Sequence, residues 1–254
     1  MLHLTNEEQR AYSLCNLPLF FENVPIYPVK VGRIVTIGEG KYNYYLSLLF
    51  SIKSLLNIEE LDAENIKEAD PFDLIFSLCI MSPGFLTEMM TATNFFLDQY
   101  FVRFDMEQQC FNIHREDDIV GKIDKENFKM FCDIIKMQNY LYKPEEEVEE
   151  NPADEEVRKL LAQRRKARER VEAAKRRQDR GDERLSFADY LSIAIAHTSN
   201  IKCEDLLDMT VYAFFDLLQR LALIDNYDIS IKQVLAGADP NKVKIKHWFG
   251  KLER

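Results

Sequence analysis

The sequence holds no C-x-x-C pair, no apolar run long enough to cross a bilayer, and only one tryptophan and eight glycines in 254 residues. Each shortage excludes something. The five cysteines (Cys15, Cys79, Cys110, Cys132, Cys203) are odd in number and isolated, so neither a zinc ribbon nor a disulfide framework is expected, and reduced, buried thiols are. The longest apolar run, Leu74 to Met81, is cut by Pro83-Gly84 and is too short for a membrane span. The first residues, Met1 to Glu8, lack the basic and apolar regions of a signal peptide. A soluble, intracellular protein is expected. Gly38 and Gly40 lack a third glycine and a following Lys-Ser/Thr pair, so they mark a turn rather than a phosphate loop. The four histidines (His3, His114, His197, His247) have no ligand-like spacing, and Ser192 and Ser199 near His197 form no nucleophile motif. No metal, cofactor or catalytic residue is expected, and the protein is read as a non-enzyme. A net charge of −10 argues against nucleic acid as the partner of the whole molecule.

What the chain does have is a charged middle, residues 144–184. An acidic block (Glu145 to Glu147, Glu149, Glu150, Asp154 to Glu156) precedes a basic one running from Arg158 to Arg180. Between Glu156 and Arg180 there is no proline, glycine or aromatic residue, and the residues present lose little entropy in a helix. The apolar positions are too irregular for a coiled-coil seam. A solvated helical linker follows. Its bases would be spread around all faces, which suits a solvated surface better than a phosphate-binding stripe.

On either side the chain reads as α+β, mainly helical, in three parts: an α+β domain over 1–143, the linker over 144–184, and a helical unit with a basic tail over 185–254. Pro18, Pro25 and Pro28 block a long helix early on, and Val29 to Val31 alternates like a short strand. Tyr42, Tyr45, Leu48, Leu49, Ile52 and Leu55 fall at helical spacing. Asp70-Pro71-Phe72-Asp73 is a helix start, and Pro83-Gly84 breaks that helix from the next. The Met and Phe stripe beyond it (Met89, Met90, Phe96) reads as core rather than a partner groove. Three short runs, Phe101–Phe104, Phe111–Ile113 and Ile119–Ile123, predict an antiparallel meander, after which Asp124 caps a helix.

The last part is wholly helical. Ser186 and Asp189 fit a capping box. A helix over 203–224 carries Leu207, Val211, Phe214, Leu218 and Leu221, widened by Phe215, and a shorter one over 229–236 stops at Gly237. With little core of its own, this unit should pack on the first domain or on another copy. The tail, Lys242 to Phe249, alternates basic and apolar residues. It reads as folded back on its own domain, with two sharper alternatives: a strand donated to a partner's sheet, and a basic-aromatic contact with nucleic acid.

Asp208 to Tyr212, Phe214 to Asp216, Gln219 to Leu221, Tyr227 to Ile229 and Leu235 to Trp248, with Ile135 to Asn139 before an acidic and then basic linker, resemble proteins of siphophages that infect Gram-positive hosts. These are the tail assembly chaperones and related tail-module proteins. The resemblance implies a non-enzymatic protein of the host cytoplasm that binds tape-measure protein, tail-tube protein or both during tail assembly. The alternatives are a permanent tail component of the virion and a nucleic-acid-binding regulator using the basic linker. The candidate protein-binding residues, for a client or for self-association, are Leu207, Val211, Phe214, Phe215, Leu218, Val243, Ile245, Trp248 and Phe249.

Overall fold

A capping box opens the first helix, α1 (Asn6–Leu14): the Glu8 amide donates to Thr5 Oγ1, and the Thr5 amide donates to the Glu8 carboxylate at 2.7 Å. The computed structural model describes residues 4–52, 69–141, 185–198, 200–239, 243, 245–250 and 252. It is mainly helical, with one two-stranded and one three-stranded antiparallel sheet. The chain divides into two compact units, Met1–Tyr142 with Asn200–Leu252, and Lys143–Ser199 with the last two residues. The sequence reading placed a boundary at 143 and kept 185–254 together. By compactness Asn200–Leu252 falls with the first unit, for the reasons given below. The linker lies outside the described residues.

α1 ends at Leu14, with Cys15 as its C-cap and Asn16 at φ +57°, and a hairpin follows that the sequence reading did not contain: β1 (Leu19–Phe21) pairs with β2 (Val24–Ile26). A two-residue loop makes Phe21 and Val24 the hydrogen-bonded pair, so the next position, Pro25 opposite Phe20, has its missing N–H directed away from β1. The expected strand at Val29–Val31 shrinks to one bridge between Lys30 and Thr210. At Val31 the chain turns into α2 (Val31–Ile37), and Gly38, at φ +86°, separates it from α3 (Glu39–Phe50). That conformation is open to glycine alone at low cost, which confirms a turn there.

Asp70 caps α4 (Pro71–Met81) by accepting the Phe72 and Asp73 amides. Ser82 caps α5 (Pro83–Leu97). Of the Met and Phe stripe, Met89 and Phe96 are buried and Met90 is half-buried, so the stripe packs largely as core. The meander is present as β3 (Phe101–Asp105), β4 (Cys110–Arg115) and β5 (Asp118–Ile123), with a register irregularity at Ile113/His114. Asp124 does not cap the following helix. Its carboxylate accepts the Glu126 and Asn127 amides in a turn, and α6 (Phe128–Gln138) begins after Asn127. Aromatic edges join these elements: Phe72 meets Phe128 at 5.5 Å, Phe76 meets Phe104 at 4.8 Å, and Phe21 meets Phe131 at 5.4 Å.

In the second unit, α7 (Phe187–His197) opens with the expected Ser186–Asp189 capping box. Back in the first unit, α8 (Cys203–Asp208) and α9 (Val211–Leu235) replace the expected helices over 203–224 and 229–236. The break sits at Met209–Thr210 rather than at 225–228. No glycine or proline interrupts 211–236, so the helix runs through Asp225–Asn226. At the break, the Val31 amide donates to Met209 O at 2.9 Å and the Val211 amide donates to Val29 O at 2.8 Å. Thr210 Oγ1 accepts the Ala213 amide and donates to Ser13 O, 197 positions back, at 2.9 Å. Tyr212 lies in a cluster with Leu19 and Met137, and its hydroxyl accepts from Arg10 Nε. Gly32 meets α8 so closely that a Cβ there would lie 3.0 Å from Leu207 O. These ties make the start of the C-terminal region part of the first unit's core.

Replacing Thr210 by Val keeps the volume but removes a cap and strands Ser13 O. It should cost about 2 kcal/mol in urea denaturation, whereas Thr210→Ser should cost less than half of that. Equal losses for both would rule out the hydroxyl as the cause.

Candidate protein-binding surface

The nine candidate contact residues separate into three groups. Val211 and Phe214 are fully buried in the first unit's core, so they are corrected from contact residues to core residues: the Thr210 tie carries this first turn of α9 inward. Leu207, Phe215, Leu218, Val243 and Trp248 are half-buried. Leu207 packs on Gly32, and Phe215 stacks on Tyr140 with centroids 6.0 Å apart. Only Ile245 and Phe249 are exposed, Phe249 to 74%.

Past Phe214 no described residue of α9 is buried, although the helix continues for about six more turns with Leu217, Leu218, Leu221, Leu223, Ile224, Ile229, Ile231, Val234 and Leu235. Ile229 is 52% and Leu235 81% exposed. Neither was among the candidates. The signal was the absence of any helix breaker between 224 and 229, which carries this apolar sequence beyond the core. Leu17 and Phe20, before and within the hairpin, are also exposed. They were missed because the hairpin itself was.

Among its described residues the tail forms no strand, and it is held against α9. Residues 247–250 form a tight turn closed by the Gly250 amide on His247 O, and Arg220 Nη1 of α9 donates to Trp248 O (3.0 Å) and Gly250 O (2.7 Å). His247 lies 5.0 Å from the Tyr227 ring, and Trp248 and Phe249 stack with centroids 3.7 Å apart. The tail thus folds back along α9.

Residues 175–253 match the family model described as the YomV second domain. That description points to a phage-associated protein family. The matched stretch is less than a third of the chain and takes in α7, α8, α9 and the tail. The chain matches no curated protein and no solved structure. Inside the YomV second-domain stretch lie Ile229, Leu235, Ile245 and Phe249, the exposed apolar positions described above.

Polar chemistry does not converge among the described residues. No group of three or more His, Cys, Asp and Glu could hold a metal ion. His114 is buried against Phe101 at 5.4 Å, and its Nδ1 has no hydrogen-bond partner. His3, Ser199 and the run from Arg158 to Arg180 lie outside the described residues. No described helix is long and apolar enough to cross a membrane.

The cysteines are all free; Cys79, Cys110 and Cys132 are buried as expected, and Cys15 and Cys203 are exposed. Burial pushes the Cys79 and Cys132 thiols up to about 12. An acid whose folded pKa is raised stabilises the fold below its unfolded value of 9.0, and that contribution is lost as pH rises from there toward about 12. Ellman's reagent at pH 8 should therefore titrate two thiols in the folded chain and all five after unfolding. Thermal stability should fall as pH is raised beyond 9. Fast reaction of a third thiol in the native chain would contradict this burial.

Proposed function

We propose that this is a non-enzymatic phage tail assembly chaperone that holds tape-measure protein, tail-tube protein or both in the host cytoplasm. One observation carries the reading: α9 runs on past its buried first turn with a series of apolar side chains, and Ile229, Leu235 and Phe249 face solvent. An apolar helix surface of this kind suits an amphipathic helical client, which binds through anchors at helical spacing. The phage-associated match over the same residues and the resemblance of the C-terminal sequence to siphophage tail assembly chaperones support it. No nucleic acid, membrane or cofactor enters this proposal.

Deleting residues 203–249 would remove Val211, Tyr212 and Phe214 from the core, so surface substitutions make the cleaner test. Ile229→Lys with Leu235→Lys should leave the melting temperature unchanged and reduce recovery of co-expressed tape-measure or tail-tube protein at least tenfold. Undiminished recovery, or recovery of neither protein by the unaltered chain, would rule the proposal out. Presence in purified virions by mass spectrometry would favour a permanent tail component instead.

A further inference from the structure

We infer that the C-terminal turn over 247–250 is an autoinhibitory strap: closed, it lies on the apolar stripe of α9, and a client must displace it to use that stripe. The inference rests on the chaperone reading above and adds a brake to it. Spacing defines the stripe. Arg220, Ile224, Tyr227, Ile231 and Leu235 follow one another by four, three, four and four residues, so they share one side of the helix. The first four are half-buried, and Leu235, at the far end, is exposed. On the reverse side Asp225, Ile229 and Lys232 are exposed. The turn is fastened to the stripe itself: Arg220 Nη1 donates to Trp248 O and Gly250 O, and the His247 ring lies 5.0 Å from that of Tyr227. Ile224 sits between these two fastenings, one helical turn from each.

The hold is of a kind that releases. Its hydrogen bonds come from a half-buried guanidinium, where water competes for the donor and for both carbonyls. No described residue from 243 to 250 is buried, and the Phe249 ring stacks on Trp248 while remaining 74% exposed. The first turn of α9 is the contrast, since Val211, Tyr212 and Phe214 there are sealed in the core. The strap also keeps its own shape, with the Gly250 amide on His247 O and the Phe249 amide on His247 Nδ1. Opening breaks the Arg220 bonds and the Tyr227 contact and leaves the turn its internal bonds. A strap closed in about two thirds of molecules lowers a client's apparent affinity about threefold, and a more fully closed one lowers it further.

Two full-length variants open the strap from opposite sides. Arg220→Ala removes the clasp on α9, and His247→Ala removes the ring against Tyr227. Circular dichroism first establishes that both fold. Without any client, emission from Trp248, the sole tryptophan, should move to longer wavelength in both, and the fluorescence of added ANS should rise about twofold or more as apolar surface is uncovered. With co-expressed tape-measure or tail-tube protein, both variants should recover about threefold more of it than the unaltered chain does. Unchanged emission and ANS fluorescence would overturn the strap whatever the clients do. So would client recovery that fails to rise in both variants while the unaltered chain recovers its client, or that rises in only one of them. Spectral changes in both variants, with neither protein recovered by any of the three chains, would support the strap and overturn the chaperone reading.

Discussion

The hydroxyl of Thr210 is the smallest group in this protein on which so much else depends. It ends one helix connection, caps α9 through the Ala213 amide, and reaches the carbonyl of Ser13 at the far end of α1. Flanking it, two backbone hydrogen bonds lock Met209 and Val211 to Val31 and Val29. The pairing carries side-chain information as well, because a slip of one residue would turn Thr210 and the apolar residues beside it to the opposite face. With register fixed, Tyr212 lands between Leu19 and Met137, and Leu207 fits over Gly32. The α1 helix, the hairpin, α2, α6 and the C-terminal helices become one body at that point.

A consequence of this constraint is the division of α9. Its first turn is held inward and is core in every respect. The remaining turns run on without a buried residue, and only the tail, clasped by Arg220, is seen to lie along them. One helix thus serves two ends: the buried one is structural, and the other presents Ile229 and Leu235 to solvent.

Much of this fold can be read in the residues themselves where local chemistry decides it. Asp70-Pro71 and Ser186-Asp189 start helices because a side-chain oxygen and its amide partners lie within four residues of one another, and the meander is marked by alternation and turns. The Thr5–Glu8 box was equally local and was overlooked among the nearby prolines. The break at Met209–Thr210 is different in kind. Nothing near Thr210 forbids a continuous helix, and the extended backbone there is imposed by Val29 and Val31, far away in sequence. The candidate contact residues shared this limit. A stripe of Leu207, Val211, Phe214 and Leu218 on one helix face states that the face is apolar, and only the distant tie tells which part of it is covered. Asp124 shows the same thing on a small scale, since its carboxylate satisfied a turn before it could reach a helix.

The bond from Thr210 to Ser13 spans 197 positions, and this has a consequence for synthesis. On the ribosome, α1 and the β1–β2 hairpin emerge long before the residues that close over them. Leu19 and Met137 must wait without Tyr212 until nearly the whole polypeptide has been made. A nascent chain halted anywhere within the charged middle would therefore display an unfinished apolar seam to the cell's proteases, and completion of translation itself becomes the condition for a durable product.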